Sequence, residues 1–245
     1  MPPAMSLHSL ASPARFQRFS RRILLPVASL ATLLLVAGLY LALFVAPPDY
    51  QQGETVRIMF VHVPAAWMAL MAYVVLAACG ASLLIWRHPL ADIAARATAP
   101  IGAGLTAICL ATGSLWGKPT WGTWWVWDAR LTSMLVLLFL YVGHIALANA
   151  FDDRERGSRA AAILALAGIV NLPIIKFSVD WWYTLHQPAC VLRLDGPTIH
   201  SSLLIPLLVM AAGFLLYFVA VLLLRIDAGL TARKLEALAH ADRGT

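Results

Sequence analysis

Long apolar runs separated by short polar segments dominate the chain. Six of these runs come close to the roughly 20 residues that an α-helix needs to cross a bilayer. Polarity does not alternate along them, and backbone groups in hydrocarbon must be hydrogen-bonded internally, so helices are favoured over barrel strands. The pattern predicts an all-α polytopic membrane protein with six transmembrane helices. The predicted spans are residues 23–46, 64–86, 99–116, 131–150, 160–179 and 202–225.

The segments between the runs are too short for a second domain, so residues 1–245 are interpreted as a single integral membrane domain. The basic N-terminal segment followed by an apolar run is also typical of a signal peptide. The run of about 24 residues exceeds a signal-peptide apolar region, which predicts an uncleaved first helix. Asn171 and Pro173 predict a kink in the fifth span.

Composition and charge agree with this prediction and add an orientation. Charged residues make up 12% of the chain, against about 25% in soluble domains. Thirteen of the 18 basic residues lie in the two terminal segments and in the second and fourth gaps between spans. The positive-inside rule then places both termini in the cytoplasm and gaps one, three and five outside. The asymmetry explains the net charge of +6 and requires no nucleic-acid partner.

Residues 117–130, called here the tryptophan tract, lie in the third gap and hold four of the nine tryptophans. One or two tryptophans at a helix end are typical of a membrane–water boundary. Four together indicate an aromatic surface suited to a large, flat, apolar molecule. If the tract is helical, its first three tryptophans and the acid share one face. The residues singled out are Trp121, Trp124, Trp125, Trp127, Asp128 and two possible carboxylate partners, Lys118 and Arg130.

Two histidines border the outer gaps at matching depths. His62 comes just before Pro64, and His186 follows the aromatic residues at 181–183. A lone histidine in such a place more often caps a helix or reaches toward the head groups. Neutral imidazole is also a standard axial ligand of haem iron, so the pair and the tract together predict haem ligation. His200 remains an alternative to His186.

Several motifs together resemble a known family. The tract resembles the tryptophan-rich motif of haem-handling membrane proteins, and among these the chain is similar to the cytochrome c maturation protein C (haem exporter protein C) family. The resemblance covers roughly residues 20–225. The matching segments are Ala46-Pro47-Pro48-Asp49-Tyr50-Gln51-Gln52-Gly53, Phe60-Val61-His62-Val63-Pro64-Ala65-Ala66, Trp116-Gly117-Lys118-Pro119, residues 124–133, Asn171-Leu172-Pro173-Ile174-Ile175 and Trp181-Trp182-Tyr183-Thr184-Leu185-His186-Gln187.

The resemblance implies a binding and delivery role without catalytic residues. It implies haem held non-covalently (b-type) on the periplasmic face of a bacterial inner membrane, with His62 and His186 as axial ligands and Trp116 among the haem-binding residues. The implied partners are a membrane-anchored haem chaperone, an ABC-type ATPase with its membrane subunits, and a small single-span subunit. Lys176 stands where similar sequences carry histidine. No Cys-x-x-Cys occurs, so haem attachment to this chain's own cysteines is not expected.

Three other functions remain open from the residues alone. A b-type electron-transfer cytochrome usually pairs histidines inside its helices, whereas here only His144 lies well inside a predicted span. A membrane haem transporter subunit would need a conduit, but the spans carry almost no charge and no pattern of broken helices. A purely structural subunit could dock an ATPase through the inner loops.

Overall fold

The computed structural model describes residues 12–243 except 189, 192 and 194. In this part of the chain no β-strand occurs and six helical segments are long and apolar enough to cross a membrane, which confirms the predicted fold class. The helices are α1 (Pro13–Tyr40), α2 (Met59–Trp86), α3 (Ala91–Trp121), α4 (Ala129–Asn149), α5 (Arg154–Gly168), α6 (Asn171–Trp181) and α7 (Ser201–Arg243); α5 and α6 share the fifth span.

The helices continue past the apolar runs into polar sequence. α3 spans Ala91–Trp121 where the run predicts 99–116, and α2 begins at Met59 and not at residue 64. Backbone hydrogen bonds continue through charged or aromatic side chains as readily as through apolar ones, so hydropathy marks the membrane-crossing part of a helix and not its ends. Part of the predicted outer loops is therefore helical.

The fifth span breaks where the sequence predicts a kink. α5 ends at Gly168 and α6 begins at Asn171, two residues before Pro173. Proline lacks an N–H and its ring clashes with the carbonyl four residues earlier, which interrupts the helix. The Asn171 side-chain amide donates to the carbonyl of Ser133 at 2.9 Å and fixes α6 against α4.

Two buried tyrosines lie at the centre of the bundle formed by α2–α5 and α7. The rings of Tyr73 and Tyr141 pack edge to face with centroids 5.2 Å apart. The Tyr141 hydroxyl donates to the carbonyl of Ala69 at 2.7 Å. Gly102 faces the Tyr141 ring so closely that a Cβ there would lie 2.1 Å from the ring. The missing side chain is what lets α3 approach α4 at this level.

We expect Gly102→Ala to destabilise the protein by about 3 kcal/mol, the upper range for overpacking, because Tyr141 is held by its hydrogen bond and cannot yield easily. Chemical unfolding in mixed detergent micelles measures the change. Gly104→Ala is the matched control, since it lies in the same helix and a Cβ there meets nothing within 4 Å. Equal stability of the two variants would contradict this packing.

The bundle has two distinct ends. At one, Gln17 and Arg21 of α1 contact Asp227 of α7, at 3.0 Å for the glutamine amide; this is called the terminal end. At the other lie the segments 46–53, 122–128, 182–188 and 195–200, which together are called the aromatic end. The predicted site residues therefore converge on the aromatic end.

Candidate functional site

The structure places the predicted site residues partly on helices. His62 lies in the first turns of α2 and not in the segment before it. Trp116, Lys118 and Trp121 belong to the last turns of α3, although the pattern predicts a loop from residue 117. α3 thus supplies the wall of the site.

The tryptophan tract is not a continuous helix. α3 ends at Gly122, whose φ of +78° is the left-handed conformation that glycine adopts without strain. The one-face helical arrangement considered for the tract is therefore wrong, and residues 122–128 run as an irregular segment. Its tryptophans differ in exposure: Trp124 and Trp127 are 54% and 75% exposed, while Trp125 is partly buried.

The hydrogen bonds of His62 determine its tautomer. Its Nδ1 lies 3.0 Å from the carbonyl oxygen of Cys109 and 3.1 Å from Oγ1 of Thr112. A carbonyl oxygen can only accept, so in the neutral ring Nδ1 carries the proton and Nε2 keeps its lone pair. The Thr112 hydroxyl donates to the carbonyl of Ile108 at 2.7 Å. Gly113 leaves room for the ring, since a Cβ there would lie 3.0 Å from His62 Cε1.

His186 has a carboxylate partner. Its Nδ1 lies 3.4 Å from Oδ2 of Asp128, a long hydrogen bond in which the imidazole donates. The other oxygen of Asp128 accepts from the backbone N–H of Leu131 at 2.8 Å and caps α4. Burial lowers the pKa of His186 below its ordinary value, and Asp128 offsets part of this effect. His186 is thus neutral at physiological pH, with its Nε2 lone pair available.

The two histidines pack against two tryptophans of one helix. Trp116 meets the His62 ring edge to face with centroids 5.7 Å apart, and Trp121 meets the His186 ring at 4.9 Å. Both ligand candidates therefore lie beside the last turns of α3, at the aromatic end.

The first outer segment contributes a glutamine that sequence reasoning missed. The Trp116 indole N–H donates to Oε1 of Gln52 at 2.8 Å. Gln52 is held by a tight turn in which Asp49 Oδ1 accepts from its backbone N–H and the following residue, Gly53, has φ +57°. The turn fixes the indole beside His62.

Three further residues that the sequence analysis missed, Cys109, Thr112 and Gly113, carry a readable signal once the length of α3 is known. The contacts of His62 come from one face of this helix, because the spacing i, i+3, i+4, i+7 places side chains along one stripe. The residues on this stripe are Cys109, Thr112, Gly113 and Trp116.

The two basic residues of the tract differ in what they contact. Lys118 is exposed; its Nζ donates to the carbonyl of Gly122 at 3.1 Å and lies 5.9 Å from the Trp124 ring centroid. Arg130 turns toward α6, where its Nε donates to Oγ of Ser178 at 3.1 Å and Nη2 to backbone carbonyls. Arg130 thus joins α4 to α6, while the Lys118 side chain is exposed.

The remaining candidates lie apart from the two histidines. Nδ1 of His200 accepts from the backbone N–H of Ser202 at 3.3 Å and caps α7. Lys176 is exposed on α6, and His144 is buried with an Nδ1 that has no partner among the described residues. Trp125 has a buried indole N–H with no acceptor among the described residues.

Comparison with known proteins adds to this geometry. The family model described as "Heme exporter protein C" matches residues 6–241. "Heme exporter protein C" of Bradyrhizobium diazoefficiens is 53% identical over 96% of this chain and 89% of its own length. The protein of that name in Escherichia coli K12 is 48% identical over 90% and 89%. A "Putative cytochrome c biosynthesis ccmC-like mitochondrial protein" of Marchantia polymorpha is 48% identical over 72% and 75%.

Proposed function

Because the chain belongs to the heme exporter protein C family, we propose that it binds haem and delivers it to a membrane-anchored haem chaperone during c-type cytochrome biogenesis. Haem is held non-covalently on the periplasmic face of a bacterial inner membrane. His62 and His186 are the axial ligands of its iron.

The hydrogen bonding of the two imidazoles carries this proposal. Histidines that ligate metals almost always donate their other ring N–H to a carbonyl or a carboxylate, which fixes the tautomer and orients the ring. Nδ1 of His62 donates to the Cys109 carbonyl, and Nδ1 of His186 donates to Asp128. In both rings Nε2 has no hydrogen-bond partner among the described residues. Two such histidines from separate segments suit bis-imidazole ligation.

The other groups at the aromatic end fit the porphyrin. Trp116 and Trp121 flank the ligands, and the exposed Trp124 and Trp127 together with the partly buried Trp125 supply further apolar surface for a flat ring. The unpartnered N–H of Trp125 is a donor available to a ligand. Lys118 pairs with a propionate from the open side, and Arg130 adds positive charge from the α6 side. Haem itself supplies the group to which the chaperone attaches, while this chain supplies binding and orientation.

The membrane orientation follows from charge. The terminal end carries most of the basic residues, which supports a cytoplasmic position for both termini and a periplasmic position for the aromatic end. The chaperone then meets haem from the periplasm. The ABC-type ATPase works from the cytoplasm, beside its membrane subunits and a small single-span subunit.

Transfer to the chaperone tests the function. We expect the detergent-purified, haem-loaded protein to pass its haem to the purified chaperone, so that haem absorbance moves with the chaperone on separation. The control is the variant in which both proposed ligands, His62 and His186, are replaced by alanine. Haem retention by the wild type in every condition would refute delivery while leaving binding intact.

We expect Asp128→Asn to weaken haem binding by about tenfold, at the lower end of losses for groups that support metal ligands. Asparagine caps a helix as well as aspartate does, so α4 keeps its first turn while His186 loses its charged partner. Haem titration followed by absorbance measures the dissociation constant. Asp195→Asn is the control, because Asp195 is exposed, pairs with Arg193 and lies in the same outer segment as His186. Equal haem affinities of the two variants would show that Asp128 does not support haem binding.

A further inference from the structure

A cavity of about 370 Å³ opens at the terminal end, between α3, the start of α5 and α7. Each of these helices contributes one arginine to its wall: Arg96, Arg154 and Arg225. No carboxylate is among the described residues that line it. The cavity lies at the opposite end from the haem ligands, so what it binds is independent of the proposed function.

The three arginines differ in how far their donors are used. Arg96 is largely engaged: its Nε donates to Asp92 at 2.9 Å, and its other nitrogens donate to Asn149, Ser158 and a backbone carbonyl. Arg154 is only loosely paired, with its Nε 3.5 Å from Asp92. Arg225 makes no hydrogen bond or ion pair with any described residue. Arg154 and Arg225 therefore keep donors for a ligand.

The charge around the cavity is positive in excess. The carboxylate of Asp92 is shared by Arg96, Arg154 and Arg233. Glu236 adds one further negative charge, 3.7 Å from Arg154. A ligand must therefore be an anion. The planar fork of guanidinium N–H groups matches the oxygens of a phosphate.

The position of the cavity at the end of the apolar run of α7 indicates that the phosphate belongs to a lipid head group. Arg225 ends the apolar run of α7 and lines the cavity mouth. Exposed apolar side chains continue along this helix up to the residue before it: Leu208, Leu215, Tyr217 and Leu224. The wall below is formed by small residues, Ala228 and Gly229 among them. Gly229 brings α7 close to α3, since a Cβ there would lie 2.9 Å from Cγ2 of Ile93. This geometry suits a molecule with acyl chains along the helix and a charged head in the cavity.

We propose that this cavity binds the phosphate head group of an anionic phospholipid. Arg154 and Arg225 donate hydrogen bonds to the phosphate oxygens, and Arg96 supplies a fixed positive charge behind them. Basic pockets between transmembrane helices at the membrane boundary are a recurring way of holding such lipids. The acyl chains lie against the exposed apolar face of α7.

Lipid titration of the detergent-purified full chain tests the proposal. We expect cardiolipin to raise the thermal unfolding temperature more than phosphatidylcholine does at equal concentration. The double variant Arg154→Gln, Arg225→Gln should need roughly thirtyfold more cardiolipin for half of the effect, at about a factor of five per arginine. Arg225 makes no hydrogen bond or ion pair with any described residue, and Arg154 is half exposed with its Nε 3.5 Å from Asp92, so we expect the variant to keep its fold.

The control removes two positive charges from the same end but outside the cavity. Arg22 and Arg156 are both exposed, and Arg22→Gln with Arg156→Gln should change the cardiolipin requirement by less than about twofold. An equal shift in this control would reduce the effect to diffuse surface charge and overturn the site. Inorganic phosphate stabilising the wild type as well as cardiolipin would show a free-anion site and overturn the lipid assignment. Absence of any cardiolipin effect would also overturn it.

Discussion

Replacing either His62 or His186 by alanine is expected to lower haem affinity by at least about a hundredfold. Loss of a group that only supports a ligand costs roughly 10–100-fold, so loss of the ligand itself costs at least the upper figure. Each histidine ring is held by its Nδ1 hydrogen bond, which leaves Nε2 as the nitrogen that ligates the iron in our proposal. We therefore expect no neighbouring group to take the place of the removed ring. The haem absorption band of purified protein, titrated with haem, measures the change.

The control and the rescue separate ligation from folding. His200→Ala removes an exposed imidazole at the same end that caps α7, and it should leave haem affinity nearly unchanged. Added free imidazole should restore part of the absorption band in the alanine variants of His62 and His186, because the space vacated by the ring admits it. Wild-type spectra in both variants would reject the axial assignment. Loss in His200→Ala alone would transfer the role to that residue.

Asp92→Ala is expected to destabilise the protein by about 3–5 kcal/mol, the usual cost of leaving buried charges without their partner. Asp92 is 8% exposed and accepts from Arg96 at 2.9 Å and from the Ser158 hydroxyl at 2.5 Å. Arg233 and Arg154 pair with its other oxygen. One carboxylate thereby holds α3, α5 and α7 together at the terminal end. Unfolding in mixed detergent micelles, followed by circular dichroism, measures the loss.

A solvent-exposed ion pair of the same end gives the matched control. Glu155 pairs with Arg159 at 2.6 Å, but both side chains are about half exposed or more. Water and salt screen such pairs, so Glu155→Ala should cost less than about 1 kcal/mol. Similar losses in the two variants would show that Asp92 is not the centre of this cluster.

Hydropathy alone predicted which segments cross the membrane, but it did not predict where the helices end. α3 carries Trp116 and Trp121 in its last turns, beyond the apolar run, because a helix ends at a local signal such as Gly122 and not where polarity changes. His62 is helical for the same reason. The kink near Pro173 could be predicted from the sequence, because proline removes a hydrogen bond within its own helix.

For the site, the sequence identified the groups that have distinctive chemistry. His62, His186 and the tryptophan tract stand out because two histidines at matching depths beside four clustered tryptophans exceed what a membrane–water boundary ordinarily carries. Asp128 stood out as an acid, but its contacts did not: it caps α4 and accepts from His186, 58 positions away. Arg130 was predicted as a propionate partner, and the structure shows most of its donors engaged with α6.

The sequence by itself thus determined an all-α membrane protein with six spans, because burial in hydrocarbon depends on side chains that can be read one by one. Only the tertiary structure decided which nitrogen of each histidine is free. The Cys109 carbonyl that fixes His62 is 47 positions away, and the glutamine that holds Trp116 is 64 positions away. Those contacts depend on how α2, α3 and the first outer segment pack, and a backbone carbonyl has no sequence signature at all.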